Sequence, residues 1–427
     1  MPPPHEAIEL DIVALGGQGD AIGRLSTGPQ QGEVVLVPGG CPGDRAKVAL
    51  RGRLRGVQRG QLLELTRSSA ERVAPRCVVA EQCGGCSWQH VAIERQRAEK
   101  LAQLQRSLGR DAPVAMWAAE VPAWAQRRRV RLHLRRQAHG LAVGMMARAS
   151  DEVAATTTCP VLLPELERVL ARADAALAPW LAQGELYLVA GQEGVLASLH
   201  GQPSGAARVG VQPMAAQLAE HLGVQGLAVQ LGRHVDAAGR AEVTLPETAG
   251  AYPITVDAEG FCQATAAANT AIRAAVQSSL ARIGPLTSAQ EYFAGSGNLS
   301  ALLVGSAAQV RTVELDAAAV ARARRSLAGT EVLVERGDAA EAAWRADLWL
   351  LDPGRAGARA LVERAAHLQP HHVIYVSCAL DTLSRDLGIL RSSGYRVQSA
   401  RAVDAFAHTP HLEAIVHLQR PFAAVQG

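Results

Sequence analysis

Cys378 closes the apolar run Val373-Ile-Tyr-Val-Ser377, which reads as a buried strand, about eighty residues after a glycine loop of the nucleotide-binding kind. A thiol at the carboxyl edge of a parallel sheet stands where open α/β folds bind their ligands, which makes Cys378 a candidate nucleophile. Glu413, in His408-Thr-Pro-His-Leu-Glu413, is a carboxylate that can serve as the accompanying base. A second chemistry is written in the other cysteines. Cys77, Cys83 and Cys86 fall within ten residues, the last two separated by Gly84-Gly85, and Cys159 precedes Pro160 in another loop. Tight turns can bring these thiolates onto one metal centre. The five-residue gap after Cys77 is unusual for zinc and for an iron–sulfur cluster alike, so the spacing leaves both open. Cys41 and Cys262 stand apart and read as small buried side chains.

A third constellation is Glu291-Tyr-Phe-Ala-Gly-Ser-Gly-Asn-Leu-Ser300, a strand, a glycine turn and a helix start, the arrangement in which a nucleoside cofactor approaches the backbone. Glu314 ends the next strand about twenty residues on, where a carboxylate accepts from both ribose hydroxyls. Asp338, after the third strand, can meet an adenine amino group. The loop lacks the glycine spacing that holds a pyrophosphate, and no Lys follows to cradle phosphates, so S-adenosylmethionine is favoured over a dinucleotide or ATP.

These residues need elements to hold them. From Glu6 to about Leu65, short alternating segments such as 8–13, 33–37 and 46–50 lie between Gly and Pro clusters, predicting a small all-β barrel. A helical stretch runs from about Val91 to Leu108, and a middle region to about 255 mixes strands such as 129–134 with helices such as 164–177. From Phe261 on, strand candidates near 289–293, 309–313, 332–334, 348–351 and 373–376 each precede a helical stretch, which predicts a doubly wound parallel sheet. The 427 residues suffice for two to four domains. The start at Met1-Pro-Pro-Pro-His-Glu-Ala has no basic and apolar signal, and no run approaches a membrane span, so a cytoplasmic protein without a membrane partner is expected. Net charge is only +3, but residues 45–76 carry eight Arg and one Lys against two acids, and residues 124–148 carry seven Arg and no acid. Such blocks suit a polyanion, although in a chain whose only lysines are Lys47 and Lys100 they also suit an ordinary solvated surface.

Taken in order, the motifs resemble the RNA 5-methyluridine methyltransferases, in the branch that acts on bacterial 23S ribosomal RNA and carries an N-terminal TRAM barrel and an iron–sulfur cluster. The resemblance runs nearly end to end, through residues 77–86 with Ser87-Trp-Gln-His90, Cys159-Pro160, Phe261-Cys-Gln263, the Gly295 loop, Asp352-Pro-Gly-Arg355, Tyr375-Val-Ser-Cys378 with Thr382-Leu383, and residues 408–413. It implies an OB-like TRAM barrel over 5–70, a mixed α+β central domain over 71–255 with basic RNA-facing strands, and a Rossmann-like methyltransferase domain over 256–427. It implies a 4Fe-4S cluster on Cys77, Cys83, Cys86 and Cys159. Contacts to S-adenosylmethionine are implied for Gln263, Phe293, Gly295, Gly297, Asn298, Glu314, Asp338 and Asp352. Cys378 is then the nucleophile for carbon 6 of uracil, Glu413 the base that removes the carbon-5 proton, and Asp352 a partner of the uracil edge or the donor. A monomer acting on RNA is expected.

The chain departs from the family pattern at several points. Asn-Pro after the nucleophile is replaced by Ala379-Leu380, a usual Asn by Thr265, a usual Pro by Ala407, a usual Gly by Pro410, and Gly-Phe-Arg by Gly144-Met-Met146. The altered residues after Cys378 keep a non-catalytic RNA-binding or ribosome-assembly role as an alternative, beside a tRNA uridine or cytosine carbon-5 methyltransferase. Ser377 before the nucleophile weighs against the cytosine reading.

Overall fold

The computed structural model describes residues 7–25, 31–204, 214–248 and 250–421; the chain start at 1–6, where the barrel pattern begins, and the end of the third expected domain at 427 lie outside them. The N-terminal alternation forms a closed barrel in which Ala7–Leu15, Ala21–Leu25, Val34–Val37, Val57–Arg67 and Arg45–Leu54 pair in that order and back to the first. Alternate side chains face inward, and Leu10, Ile12, Val35, Val37 and Val48 fill the interior. Trp88 and Val91, from beyond the barrel, complete that core, and the Trp88 indole N–H donates to the Gly19 carbonyl at 3.0 Å. The cysteine segment is thereby rooted in the barrel. Much of the barrel's basic block is neutralised in place, since Arg45 pairs with Glu9, Lys47 with Glu64, Arg53 with Glu33, Arg67 with Asp11, and Arg72 with buried Asp44. The surface charge there is smaller than the run of arginines implies, because acids from neighbouring strands face it.

A seven-stranded central sheet follows, ordered His234–Gly239, Gly226–Leu231, Gly194–Pro203, Leu181–Gly191, Arg129–Gln137, Gly140–Met146 and Val153–Ala155. Helices Pro164–Leu177 and Ala215–Leu222 share its hydrophobic core.

The third sheet has eight strands in the order Val332–Arg336, Ala307–Glu314, Leu286–Tyr292, Leu348–Leu351, His372–Ser377, Glu413–Gln419, Arg396–Val403 and Met116–Trp117. Its middle strands are near-continuous apolar runs because both faces are covered. On one face, Trp349, Leu351, Val373 and Tyr375 pack with helices Ile93–Leu108, Arg359–Leu368 and Leu380–Ser392. On the other, Leu348, Leu350, Ile374 and Val376 pack with Ala266–Ile283 and Ala317–Ser326. The first five strands are parallel as expected, but the sheet as a whole is mixed, with Glu413–Gln419 inserted antiparallel beside His372–Ser377. Two expected helices are also missing. The glycine loop leads only to a 3-10 turn at Ser300–Leu302, and Val332–Arg336 is followed by turns, where Asp338 Oδ1 accepts from the Ala340 N–H at 2.8 Å. An Asp bonding the backbone two residues on favours a turn over a helix. Among the described residues no helix is long and apolar enough to cross a membrane.

Helix Ile93–Leu108 precedes the central sheet in the chain yet packs on the third one. Its Lys100 is fully buried, with Nζ 2.5 Å from Asp404 and 3.0 Å from the Phe406 carbonyl oxygen. Burial lowers the Lys100 pKa while Asp404 opposes the shift. Removing the acid strands a buried ammonium, so Asp404→Ala should lower the unfolding free energy by about 3–5 kcal/mol. Lys100→Met, which fills the same space without charge, should cost clearly less. Denaturant unfolding of the two variants checks this, and equal costs would show that packing rather than charge sets the stability here.

Candidate active site

Strand register assembles the site. Tyr292, Val313 and Leu351 are ladder partners on three adjacent parallel strands, and Leu351 pairs in turn with Tyr375. The residues that follow, Phe293, Glu314 and Asp352, therefore emerge along one carboxyl edge. Ser377 pairs with Ala414 on the antiparallel strand. One step further toward the same edge, Cys378 and Glu413 stand opposite each other. The nucleophile and base expected from sequence are thus brought together by a ladder, although 34 residues lie between them in the chain.

Their environment is poor in water. Glu413 is 3% exposed and its Oε2 has no hydrogen-bond partner among the described residues. Burial, then the charge of Asp352, pushes its pKa well above the usual carboxylate range, with Arg355 opposing. Burial raises Asp352 to about 7. Cys378 is pushed up to about 11, by burial first and then by Glu413 and Asp352, while Arg355 again opposes. Glu291, which sequence reasoning quoted but gave no role, joins this group. It is buried on the donor strand and raised to about 8, by burial against the hydrogen bond from the Ser300 hydroxyl, with Asp352 and Glu314 adding to the rise. Its signal was a carboxylate inside a strand run that is otherwise buried.

The donor loop has the backbone its glycines imply. Gly295 and Gly297 lie at φ +54° and +91°, and space is open where a Cβ on Gly295 would sit. Phe293 holds φ +62°, a strained conformation for a bulky residue. The Gly295 N–H donates to Glu314 Oε2 at 2.9 Å, and the Leu315 and Asp316 N–H groups donate to Oε1 at 2.7 and 2.8 Å. Glu314 is fixed by these bonds with lone-pair capacity remaining. The Gly337 N–H donates to the Glu314 carbonyl at 3.0 Å and brings the Asp338 turn alongside. Asn298 is differently engaged. Its amide exchanges hydrogen bonds of 2.7 and 3.0 Å with Asn269, which also donates to Glu247 at 2.7 Å. Gln263 is buried, and its carbonyl accepts from Arg128 Nε at 3.0 Å. A cationic sulfonium compound suits a loop of this shape beside carboxyls that burial leaves reluctant to ionise alone. Of the departures, Thr265 caps helix Ala266–Ile283 by accepting from the Ala268 N–H at 3.0 Å, and the Ala379 N–H donates to Ser377 Oγ at 3.2 Å.

In front of Cys378 lies a cleft of about 530 Å³ whose walls include Arg355, Asp381 and His411, Gln103 of helix Ile93–Leu108, and Gln18 of the barrel. The four-cysteine segments lie to the other side of the base loop. Cys86 and Gly85 face residues 404–407 across a small cavity. Burial raises Cys83, Cys86 and Cys159, the last to about 11, and charge on the neighbouring thiols adds to each shift. The Cys159 N–H donates to Glu167 at 2.8 Å. Cys83, Cys86 and Cys159 thus lie within reach of charge on neighbouring thiols, though among the described residues no three His, Cys, Asp or Glu side chains form a ready site for a metal ion. Cys41 is buried in the barrel core and Cys262 in a small cluster with Val189, Leu196 and Val256.

Residues 338–421 match the family model described as tRNA (Uracil-5-)-methyltransferase. Over 96% of this chain and 93% of its own length, a protein of Pectobacterium atrosepticum named 23S rRNA (uracil(1939)-C(5))-methyltransferase RlmD is 31% identical. One of the same name from Edwardsiella ictaluri is 32% identical, over 93% of each chain. Among solved structures, the Pyrococcus abyssi tRNA (uracil-54, C5)-methyltransferase in complex with S-adenosyl-L-homocysteine shares the fold, with a TM-score of 0.74 and 20% identity, over 96% of this chain and 99% of that one. End-to-end identity at this level, on a fold that aligns a thiol and a carboxylate beside a donor loop, means that the chain belongs to the RNA uracil-5 methyltransferase family.

Proposed function

We propose that this enzyme transfers a methyl group from S-adenosylmethionine to carbon 5 of a uridine in 23S ribosomal RNA. The observation that carries the reading is the register that sets Cys378 opposite Glu413 with Asp352 on the adjoining strand. Carbon 5 of uracil is a weak nucleophile. The Cys378 thiolate adds to carbon 6, and the electrons of the 5,6 double bond pass into an enolate that makes carbon 5 nucleophilic. The donor supplies an electrophilic methyl on a sulfonium; as carbon 5 bonds to it the methyl–sulfur bond breaks, and the sulfur keeps the electron pair and leaves as the neutral thioether of S-adenosylhomocysteine. Carbon 5 then carries both methyl and hydrogen, and the Glu413 carboxylate takes that proton, the double bond re-forms, and the thiolate leaves. Its raised pKa makes Glu413 a stronger base than a solvated carboxylate, and the nearby Arg355 favours the anionic forms of both Glu413 and Cys378. Gln263, Phe293, Gly295, Gly297, Asn298, Glu314 and Asp338 would hold the donor, with Asp352 between donor and base; Gln263 is anchored through its carbonyl to Arg128 and Asn298 through its amide to Asn269.

The barrel of residues 5–70 is read as a TRAM-like RNA-binding domain, residues 71–255 as the cysteine-bearing central domain and residues 256–427 as the methyltransferase domain, to which helix Ile93–Leu108 is docked. Arg129 and Arg131, beside Tyr187, line a groove on the central sheet that suits an RNA strand. The target base must leave its stack to reach the cleft, at a cost of roughly a few kcal/mol. Cys77, Cys83, Cys86 and Cys159 are read as the ligands of a 4Fe-4S cluster. A cluster seats each thiolate on a separate iron, and three closely spaced cysteines with a fourth in a second loop supply the thiolate set it would need. We read the protein as a cytoplasmic monomer.

Three outcomes test this reading. Cys378→Ala should abolish formation of 5-methyluridine, by about three orders of magnitude or more, while donor affinity is retained. Labelled methyl transfer to unmodified 23S RNA measures this, and a variant that keeps the parent rate refutes the nucleophile. Cys83→Ser should reduce bound iron from about four atoms per chain in anaerobically prepared protein, read by metal analysis; unchanged iron would dismiss the ligand set. The third concerns pH. Asp352 and Glu291 keep their protons to about 7 and 8 when folded but only to ordinary carboxyl values when unfolded. Their contribution to stability is present below the unfolded values and is lost as pH rises through the folded ones. The melting temperature of the donor-free protein should therefore contain a component that falls between about pH 5 and about pH 8, and Asp352→Asn should flatten it. An unchanged slope in that variant counts against a proton-holding Asp352.

A further inference from the structure

The loop that delivers Glu413 is gripped by a residue the reaction does not use. His408 is 2% exposed and holds φ +66°, a left-handed conformation that a side chain disfavours. Its N–H donates to Gln96 Oε1 at 2.8 Å, its Nδ1 faces Gln96 Nε2 at 3.3 Å, and its carbonyl accepts from the Trp88 N–H at 2.9 Å. Its ring lies on Trp124 with centroids 3.9 Å apart, and Arg76 covers the Trp124 ring at 4.7 Å. Gln96 is itself fully buried, and Nε2 donates to the carbonyls of Trp88 at 3.0 Å and Val91 at 2.8 Å. Trp88 is two residues past Cys86, and both Trp88 and Val91 belong to the barrel core. One buried amide therefore joins the cysteine segment and the barrel to the strained residue five positions before the base.

We propose that Gln96 is a positioning residue for Glu413, splicing the cysteine segment to the base loop so that the carboxylate meets carbon 5. The inference rests on the reading of Glu413 as the base. An amide suits the place because it offers an acceptor to the His408 N–H and two donors to the two carbonyls. Leucine has neither, and glutamate would turn acceptors toward carbonyl oxygens. Cys378 rides on a different strand, whose ladder does not pass through Gln96. Loosening the splice should therefore spare thiolate addition and methyl transfer and slow the one step that needs Glu413. The species that builds up is the methylated uracil still bonded to Cys378 Sγ, with its carbon-5 proton in place.

The test uses full-length, cluster-loaded protein with S-adenosylmethionine and an unmodified 23S RNA fragment, following covalent RNA–protein adduct on denaturing gels beside released 5-methyluridine. Gln96→Leu should release product about 10²-fold more slowly, accumulate adduct as Glu413→Gln does, and bind donor as the parent does. Product release at the parent rate, or adduct and product lost together, overturns the proposal. If Glu413→Gln itself gives no adduct, the base assignment fails and the proposal falls with it, an outcome distinct from failure of Gln96→Leu alone. A second pair guards against a Gln96 variant that does not fold. His408→Gly adopts the left-handed backbone freely, whereas His408→Ala keeps the strain without the ring stack. More adduct in His408→Ala than in His408→Gly is expected, and no difference between them overturns the proposal.

Discussion

The chemistry depends on one backbone ladder, the antiparallel pairing of His372–Ser377 with Glu413–Gln419. Side chains alternate along a strand, so a slip of one residue would turn Glu413 to the other face of the sheet and replace it beside Cys378 with an uncharged neighbour. The slip is opposed by packing on both faces. Val373 and Tyr375 are buried on one side and Ile374 and Val376 on the other, with Ala414 and Val416 matching the first pair and Ile415 the second. Register is thus held by a buried apolar core on both faces, and the placing of Cys378 against Glu413 follows from it.

The same burial that secures the register sets the electrostatic problem of the site. Cys378, Glu413, Asp352 and Glu291 are all shifted toward their neutral forms by loss of water, and neighbouring carboxyls add to the shift of Cys378, Glu413 and Glu291. A thiol held near 11 is a poor nucleophile until something cationic enters or a proton is taken from it. Arg355 offers partial relief from an exposed position. A positively charged donor offers more, because its charge favours ionised carboxyls and thiolate alike.

Around this centre, buried polar contacts tie the barrel and helix Ile93–Leu108 to the third sheet. Trp88 plugs the barrel and holds Gly19, Gln96 carries that anchorage to His408, and Lys100 fixes Asp404 at the other end of the same loop. The cleft facing Cys378 is bounded by barrel, helix and third sheet together.

Much of this was legible before any coordinates. Alternation of apolar residues at period two disclosed the barrel, continuous apolar runs disclosed the buried parallel strands, and the glycines of the donor loop disclosed its backbone, because each is a local demand on residue type. The chain also marked Cys378 and Glu413 as residue types fit for the reaction. It did not show the antiparallel strand that unites them, since a run such as Glu413-Ala-Ile-Val-His-Leu-Gln419 carries no sign of its direction or partner. Nor did it show that the acids facing residues 45–72 would neutralise their arginines, that helix Ile93–Leu108 would leave its neighbours in sequence, or that Asn298 would turn to Asn269. Residue type and period are properties of a few consecutive positions, whereas pairing, charge compensation and desolvation depend on which distant segments share a core, and only the tertiary structure decides that.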